Sequence, residues 1–382
     1  MKKIILFAIG ILTSVSILAD DYEYNGMTYD CDKATHTATL KSGPTIPISP
    51  LVIPPSFKMD GDDEEYKVTS IGDGAFTKAP QNINDVVISE GVTTIGKDAF
   101  KGCNQLKKIV LPSTLGDSEG SIGANAFSGC SQLVYIVWWV EDPAKYGPTI
   151  FPDNNLMTLY VHEDKKKEYL NSQWKSTTIK KFGDRIYGGQ IEKVTHDGME
   201  YLCATGTEGE AILITGNATS TFTVPSSFEE KGKIYHVKGI EKSAFTNSAD
   251  LSILTIEDGV TYINDNACLN CSKLKRLELP STLRFIGSNA FYGCNDLIHI
   301  YCRVEDPNNL DPTNLPGNVI DNNGGYNMVT LYAPTKESQL AYKDHEKWSG
   351  RFKDRIYGGN MLIIENGGMV YVCAEHTHEA TL

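Results

Sequence analysis

The chain has 382 residues, of which 41% are hydrophobic and 22% charged, so it is long enough to bury one or two large cores. Its formal net charge is −13 at pH 7, and no basic stripe is evident. Affinity for nucleic acid depends mainly on neutralisation of phosphates by Lys and Arg. We therefore predict that nucleic acid is not a partner and that the negative charge serves solubility.

Residues 1–19 have the pattern of a secretory signal peptide. Lys2 and Lys3 form a positive start, an apolar stretch follows as far as Leu12, and Ala19 is a plausible cleavage residue. This apolar stretch is shorter than the roughly 20 residues that cross a bilayer as a helix. We expect an exported protein without a membrane span, and the cell surface, the periplasm and the extracellular medium are all open as destinations.

The segment after the leader is predicted to be a hairpin that caps the fold. Residues 25–40 alternate in polarity on both sides of a polar middle, which indicates two antiparallel strands. Residues 44–57 are rich in Pro and should be extended, because Pro blocks helix and favours β geometry in the preceding residue. The acidic run at 60–65 lacks the ligand register of a calcium loop, so we interpret it as a solvated turn.

A short phrase then recurs within each half of the chain at steps of 23 to 27 residues. Each copy begins with Ile, and a Phe usually follows five residues later. Self-similarity at this period is typical of a solenoid, in which stacked units bury one another's apolar faces. The Ile positions are Ile71, Ile95, Ile122, Ile240, Ile263 and Ile286; the Phe positions are Phe76, Phe100, Phe127, Phe245 and Phe291, with Cys268 in the remaining place.

Each unit also contains the strand phrase L-x-x-L-x-L. Its last two apolar residues are two positions apart, so both side chains point to one face of a β-strand. Parallel stacking of one such strand per coil predicts a sheet backed by the Ile and Phe columns. The last two apolar residues of each phrase are Val86 and Ile88, Ile109 and Leu111, Ile136 and Trp138, Leu254 and Ile256, Leu277 and Leu279, and Ile300 and Cys302.

The chain also repeats itself on a larger scale. Cys31 and its neighbours return around Cys203, 172 residues later. We therefore predict two tandem modules of similar size, 20–190 and 191–359, each with a hairpin cap. Residues 360–382 repeat the hairpin once more. We favour a C-terminal cap for this third copy, and a shortened array of modules is the alternative.

The repeated strings resemble the BspA-like class of leucine-rich repeats, which is found on bacterial surface proteins. The resemblance implies a leucine-rich-repeat solenoid with a parallel β-sheet and a right-handed β/α-type superhelix, rich in β-structure with short helices. It also implies adhesion to, or recognition of, host or bacterial proteins. Two departures are Cys268 at a Phe position and the inserted residues 116–120. The strings share the pattern IG-x-x-AF-x-GC-x-x-L-x-x-I-x-LPS-x-L and lie at 95–115, 122–138, 263–283 and 286–302.

Nine cysteines in an exported chain invite a disulfide interpretation. Four of them occupy the same position, one per coil, where a small buried thiol serves as an apolar filler. We favour buried free thiols and keep disulfides between coils as the alternative. His376 and His378 alternate on one predicted strand but lack a third ligand, so we predict no metal site. The four column cysteines are Cys103, Cys130, Cys271 and Cys294.

No catalytic motif stands out. The chain has no G-x-S-x-G elbow, no Cys with a dedicated His partner and no phosphate-binding glycine loop. Adjacent carboxylates precede Pro at Glu141 and Asp142 and again at Glu305 and Asp306, which indicates a structural turn in both modules. We predict a protein that is not an enzyme and has no cofactor.

The outward positions of the predicted strands are the candidate binding residues. A solvated sheet face should be polar, but these rows mix aromatic and aliphatic side chains with charges, a composition that favours interfaces. The alternative is that the segment after each module covers them. The candidates are Lys108, Val110, Tyr135, Val137 and Trp139 in the first module, and Arg276, Glu278, His299 and Tyr301 in the second.

We therefore expect a secreted or cell-surface protein that binds a host or bacterial surface protein across an extended sheet face. A surface glycan is the second candidate ligand, because exposed Trp and Tyr rings can stack on sugars. A structural spacer without a specific ligand is the third candidate.

Overall fold

The computed structural model describes residues 20–79, 83–115, 121–152, 157–175, 182–183, 185–246, 248–310, 329–352, 355–359, 361–366, 369–374 and 380–381. The predicted leader, the insertion at 116–120, and His376 and His378 lie outside these described residues. The chain divides into two compact units, unit 1 (Met1–Ile186) and unit 2 (Tyr187–Leu382). The predicted end of the first module, at residue 190, falls four residues after this division.

Unit 1 is built mainly of short strands in two sheets. In chain order these strands are β1 (Asp20–Tyr24), β2 (Met27–Asp32), β3 (Thr37–Ser42), β4 (Leu51–Ile53), β5 (Ser56–Lys58), β6 (Glu65–Ile71), β7 (Asp85–Ile88), β8 (Thr94–Ile95), β9 (Lys108–Leu111), β10 (Tyr135–Trp138), β11 (Thr158–Val161) and β12 (Ile186–Gly188). One sheet has the order β1-β2-β3-β6-β5, with β8 paired to β6, and the other has the order β12-β11-β10-β9-β7-β4. The second is called the long sheet of unit 1, and its pairs from β4 to β11 are parallel.

The repeated phrase places equivalent residues side by side in this long sheet. Ile109 in β9 lies opposite Ile136 in β10, and Leu111 lies opposite Trp138. All four side chains are buried, whereas Lys108, on the alternate side of β9, is half-buried. The pattern of apolar residues two positions apart therefore gives one buried face per strand, and the predicted solenoid with stacked parallel strands is confirmed.

Phenylalanine rings form the second column of the core. Phe76 stacks on Phe100 with ring centroids 4.5 Å apart, and Phe100 stacks on Phe127 at 5.5 Å. Phe151, beyond the last repeated phrase, extends the column, with its ring 5.2 Å from Phe127. Four buried rings thus lie on one another because each coil adds one ring at the same height.

The Gly of the repeated IG pair allows consecutive coils to approach closely. A Cβ atom at Gly123 would overlap backbone atoms of Gly96 and Lys97 in the preceding coil. Gly123 also donates its N–H to the carbonyl of Ile95 at 2.7 Å. A residue without a side chain is therefore required where one coil lies directly on the next.

Unit 2 repeats this architecture. Its strands are β13 (Ile191–His196), β14 (Met199–Ala204), β15 (Glu210–Gly216), β16 (Ser220–Val224), β17 (Ser227–Glu230), β18 (Lys233–Ile240), β19 (Leu251–Ile256), β20 (Tyr262–Ile263), β21 (Arg276–Leu279), β22 (Phe285–Ile286), β23 (His299–Cys302), β24 (Thr330–Ala333) and β25 (Ile356–Gly358). The long sheet of unit 2 has the order β16-β19-β21-β23-β24-β25. The other sheet has the order β13-β14-β15-β18-β20-β22, with β17 paired to β18. Strands β26 (Met361–Asn366), β27 (Met369–Ala374) and β28 (Ala380–Thr381) form a separate antiparallel sheet.

The predicted hairpin at the start of each unit is part of a larger cap. In unit 1, β2 and β3 pair with each other, β1 adds a third strand, and β3 continues in parallel with β6 of the coil sheet. Phe57 fills the cap, with its ring 4.7 Å from that of Tyr29. In unit 2, Phe228 has the equivalent place, 4.5 Å from Tyr201. The cap therefore extends the coil sheet and covers the first coil.

Short helices follow the coils and complete the cores. Tyr169 of the first helix donates its hydroxyl to the Val140 carbonyl at 2.7 Å, and Tyr342 of the second contacts the thiol of Cys302, an inward-facing residue of β23. These helices therefore pack on the core side of the long sheets. The helices are α1 (Lys166–Leu170), α2 (Lys336–Asp344) and α3 (Glu346–Phe352), and the 3-10 helices are Pro148–Ile150, Glu163–Lys165, Gln173–Lys175 and Pro307–Asn309.

Candidate functional site

The outer face of the long sheet in unit 1 has a row of valines. Val110 lies opposite Val137 across β9 and β10, and the row continues to Val87 on one side and to Tyr160 on the other. A fourth valine, Val52, lies opposite Val87 at the β4 end. We call Val52, Val87, Val110 and Val137 the valine face. It is an aliphatic strip across four neighbouring strands.

Access to the valine face changes along its length. Val52 is 46% exposed and Val110 is half-buried, but Val137 is only 3% exposed. Val137 lies on the predicted face, yet it has little surface to offer a partner. The part of the strip open to a ligand is therefore the end near β4.

The other candidates of unit 1 lie beside this strip. Lys108 and Tyr135 are directly opposite each other on β9 and β10, and both are half-buried. Trp139 follows β10, and its ring lies 4.9 Å from the ring of His162. The structure thus brings Lys108, Tyr135 and the valines into one surface, with Trp139 just beyond the strand end.

The corresponding face in unit 2 is aromatic. Tyr301 on β23 lies opposite Tyr332 on β24, which lies opposite Tyr357 on β25. The rings of Tyr301 and Tyr332 stack with centroids 4.6 Å apart and an interplanar angle of 12°. Tyr332 and Tyr357 stack at 6.1 Å and 29°. The three rings form a ladder because strands in register place them at the spacing that offset stacking favours.

Arg276 closes the other end of this ladder. Its guanidinium carbon lies 4.8 Å from the centroid of the Tyr301 ring, a cation–π geometry. An Nη atom of Arg276 also lies 2.5 Å from a carboxylate oxygen of Glu278, the residue opposite Tyr301 on β21. The ion pair holds the guanidinium over the ring. We call Tyr301, Tyr332, Tyr357, Arg276, Glu278 and His299 the tyrosine face.

His299 joins the two rows of the tyrosine face. It lies opposite Arg276 in the sheet, and its Nδ1 atom is 3.2 Å from the hydroxyl oxygen of Tyr332. Burial, and then the Arg276 guanidinium, lower the pKa of His299 from its ordinary value of 6.5. Burial raises the pKa of the Tyr301 hydroxyl. Both side chains are therefore neutral at pH 7, and the face contains one compensated ion pair.

The structure brings all four predicted residues of unit 2 together and adds two that sequence reasoning missed. Arg276, Glu278, His299 and Tyr301 had been chosen from their strand phrases alone. Tyr332 and Tyr357 follow the last recognised coil, where the phrase L-x-x-L-x-L no longer applies. The available signal was the strings TLYA and RIYG, each with a Tyr between apolar residues of a short strand. The segment after the coils thus extends the face edgewise through β24 and β25.

The cysteines form regular contacts between coils. The thiol of Cys130 donates to the carbonyl of Phe100 at 3.2 Å, and the thiols of Cys271 and Cys294 donate to the carbonyls of Phe245 and Cys268. Burial raises the pKa of Cys130 to about 12. The cysteines whose side chains the structure describes are free thiols, as favoured: Cys31, Cys103, Cys130, Cys203, Cys268, Cys271, Cys294 and Cys302.

One spacing was overlooked when the cysteines were assigned to separate columns. Cys268 and Cys271 form a C-x-x-C sequence, because a thiol replaces the Phe of this coil. Among the described residues, no three or more His, Cys, Asp or Glu side chains are arranged to hold a metal ion. In the same part of the chain, no helix has the length and apolarity to cross a membrane.

Solved structures of bacterial leucine-rich repeat proteins resemble the chain over much of its length, although the superpositions are loose. A leucine-rich cell surface protein from Faecalibacterium prausnitzii is 18% identical, with 89% of this chain and 95% of that chain covered and a TM-score of 0.31. A leucine-rich repeat protein from Bacteroides capillosus is 26% identical over 37% of this chain and 98% of that chain, with a TM-score of 0.29. The T. pallidum leucine-rich repeat protein is 16% identical over 73% and 91%, with a TM-score of 0.24.

The family model has a much clearer match. Among curated proteins, no match is found. The model of the BspA-type leucine-rich repeat region, by contrast, matches with six copies over residues 65–182 and 221–310, which together are more than half of the chain. These ranges contain the Ile and Phe columns and the parallel strands that stack in each unit. The chain therefore belongs to the BspA-type leucine-rich repeat family.

Proposed function

We propose that this protein is exported and binds a protein partner through the outer faces of its long sheets, without catalysing a reaction. The observation that supports this most is the tyrosine face, where three stacked tyrosines and an arginine lie on adjacent strands. Tyr and Arg are the residue types that most often dominate binding energy at protein interfaces. The residues 1–19 support export, with the cell surface, the periplasm or the medium as the destination.

The side chains of the tyrosine face are already held in place. Tyr332 is buried between its two neighbours, and the Glu278 carboxylate fixes Arg276 over Tyr301. Immobilising a flexible side chain on binding costs about 0.5–1.5 kcal/mol, so prior ordering removes much of this cost. A rigid scaffold of strands therefore presents contacts that need little rearrangement to bind.

The stacking favours a protein over a glycan as the ligand. Sugars pack on the flat faces of aromatic rings, but Tyr301 has Arg276 on one face and Tyr332 on the other. Tyr332 is likewise enclosed by Tyr301 and Tyr357. The ladder thus presents ring edges and hydroxyl groups, which suit the amides and polar side chains of a protein surface.

The valine face provides a different surface in unit 1. Val52 and Val110 form an aliphatic strip beside Lys108 and Tyr135. Unit 2 has Thr223, Thr255 and Glu278 at three positions of the equivalent row, so the two units offer unlike surfaces on the same scaffold. We propose the tyrosine face as the primary binding surface and the valine face as a secondary one.

The test compares binding of the mature chain with binding of a double variant, Tyr301→Ser with Tyr357→Ser. The chain is immobilised and exposed to bacterial surface extracts and host extracellular matrix proteins, and each captured protein is then purified and its Kd measured. We expect the double variant to lose at least about tenfold in affinity, equal to about 1.4 kcal/mol. Tyr292→Ser is the matched control, because Tyr292 is half-buried in a turn away from this face.

The outcomes separate the candidate functions. Undiminished affinity of a correctly folded double variant for the partner would refute binding through the tyrosine face. Selective hits on a glycan array, abolished by the same double substitution, would favour a glycan ligand. Failure of the chain to retain any specific ligand in either assay would favour the structural spacer.

A further inference from the structure

We propose that Cys268 and Cys271 are the site of a disulfide bond within a single turn of unit 2. These two residues are the ends of the C-x-x-C sequence, and they belong to the core, so the inference does not depend on the binding faces. In the reduced structure both side chains are buried and free. Their thiols interact directly through a side-chain hydrogen bond.

The backbone of this turn fits a disulfide. The N–H of Cys271 donates to the carbonyl of Cys268 at 3.2 Å, which closes a four-residue turn. Such a turn brings the first and fourth Cα atoms within about 7 Å, and disulfides join Cα atoms about 4.4–6.8 Å apart. Asn270 inside the turn has a φ of 61°, so the left-handed residue of this turn is one that tolerates it. The bond therefore requires little backbone movement.

The other coils show why the pair is special. The same turn joins Phe100 to Cys103 and Phe127 to Cys130, through N–H to carbonyl hydrogen bonds of 3.1 Å and 3.2 Å. In those coils an aromatic ring occupies the first position, so no thiol faces the cysteine. Unit 2 exchanges the ring for a thiol at one coil, Cys268, and this exchange creates the dithiol.

A third thiol gives a competing possibility. Cys294 of the next coil donates its thiol hydrogen to the carbonyl of Cys268 at 3.3 Å. Its own N–H is held by the carbonyl of Phe291 in a separate turn. A bond from Cys294 would link two coils, whereas the Cys268–Cys271 bond lies within one turn that is already closed.

The chemistry requires an oxidant, and a low-molecular-weight disulfide such as oxidised glutathione suffices. The thiolate of one cysteine attacks a sulfur of the oxidant, which forms a mixed disulfide and releases one glutathione thiolate. The second cysteine then attacks its partner's sulfur in the mixed disulfide, forms the Cys268–Cys271 bond and releases a second glutathione. Two protein thiols are oxidised, one disulfide is reduced, and the two protons end on the glutathione thiols. Because both cysteines are buried after folding, exchange takes place while the coil is open.

The experiment refolds the reduced, unfolded chain in a glutathione redox buffer, alkylates free thiols and analyses tryptic peptides by mass spectrometry. Cleavage after Lys242 and Lys273 places Cys268 and Cys271 in one peptide, whereas Cys294 lies in the separate peptide 285–303. We expect peptide 243–273 to be lighter than its reduced form by two hydrogen atoms and to escape alkylation. Cys294 should be alkylated.

Three variants and one comparison complete the test. Cys294→Ser should keep the bond, while Cys271→Ser and Cys268→Ala should abolish it, each variant being checked for a native circular dichroism spectrum. At the same glutathione ratio, the oxidised fraction should be higher under folding conditions than in denaturing urea, since the folded turn aligns the thiols. Complete alkylation of peptide 243–273, a cross-link between it and peptide 285–303, or no preference for the folded chain would each overturn the proposal.

Discussion

Removal of one ring from the phenylalanine column tests the solenoid core most directly. Phe100 is fully buried between Phe76 and Phe127. Truncation of a buried Phe to Ala costs about 3–5 kcal/mol, and each stacked aromatic pair adds about 0.5–1.5 kcal/mol beyond its buried area. Because Phe100 makes two such pairs, we expect Phe100→Ala to lower the free energy of unfolding of unit 1 by about 5 kcal/mol.

The loss can be measured by urea unfolding followed by tryptophan fluorescence. Three of the four tryptophans, Trp138, Trp139 and Trp174, lie in unit 1, and Trp348 lies in unit 2. A Trp348→Phe background therefore makes the fluorescence specific for unit 1. The slope of the unfolding free energy against urea should stay the same, since the surface exposed on unfolding changes little.

Two controls give the result its meaning. Phe100→Leu retains most of the volume and should cost about 1–2 kcal/mol. Lys101→Ala, at an exposed neighbouring position, should change stability by no more than about 0.5 kcal/mol. A loss below about 2 kcal/mol for Phe100→Ala would refute the inference that stacked rings support unit 1.

Two further predictions concern close coil packing and pH. Gly123→Ala should destabilise unit 1 by about 1–3 kcal/mol through overlap with the preceding coil's backbone, whereas Gly350→Ala, with open space around it, should be neutral or slightly stabilising; equal effects in urea unfolding would contradict this reasoning. Because burial and Arg276 lower the pKa of His299, the folded chain binds fewer protons there than the unfolded chain. The contribution of His299 to stability should be complete above the unfolded pKa of 6.5 and decline as pH falls through the lowered folded value. The unfolding midpoint of unit 2, followed by Trp348, should therefore lose part of its acid sensitivity in His299→Gln, and an unchanged pH profile would contradict the prediction.

The comparison of expected and observed positions shows where local pattern suffices. Ile109 and Leu111 were assigned to the buried face because they are two residues apart, and the strand period allows no other arrangement. The Phe column followed from the repeat period in the same way. Phe151 was not assigned to the column, because it lies in a loop whose spacing departs from the repeat.

The candidate surface was predicted less completely. Tyr301 and Arg276 were chosen correctly as neighbours on one face, since both occupy alternate positions of recognised strands. Tyr332 belongs to a strand that begins 28 residues after β23 ends, so its place in the row could not be read from spacing. The low exposure of Val137 likewise depends on side chains of neighbouring strands, which the composition of its own strand does not specify.

By itself, the sequence determined the repeat period, the inward columns and the existence of an outward row, because each of these depends on side chains within one coil. The tertiary structure alone decided which residues of different coils meet. It joined Tyr332 and Tyr357 to Tyr301, and it placed the Cys268 and Cys271 thiols in contact inside the core. The physical reason is that the direction of a side chain follows from the local period of its strand, whereas its neighbours follow from the register between strands that are distant in the chain.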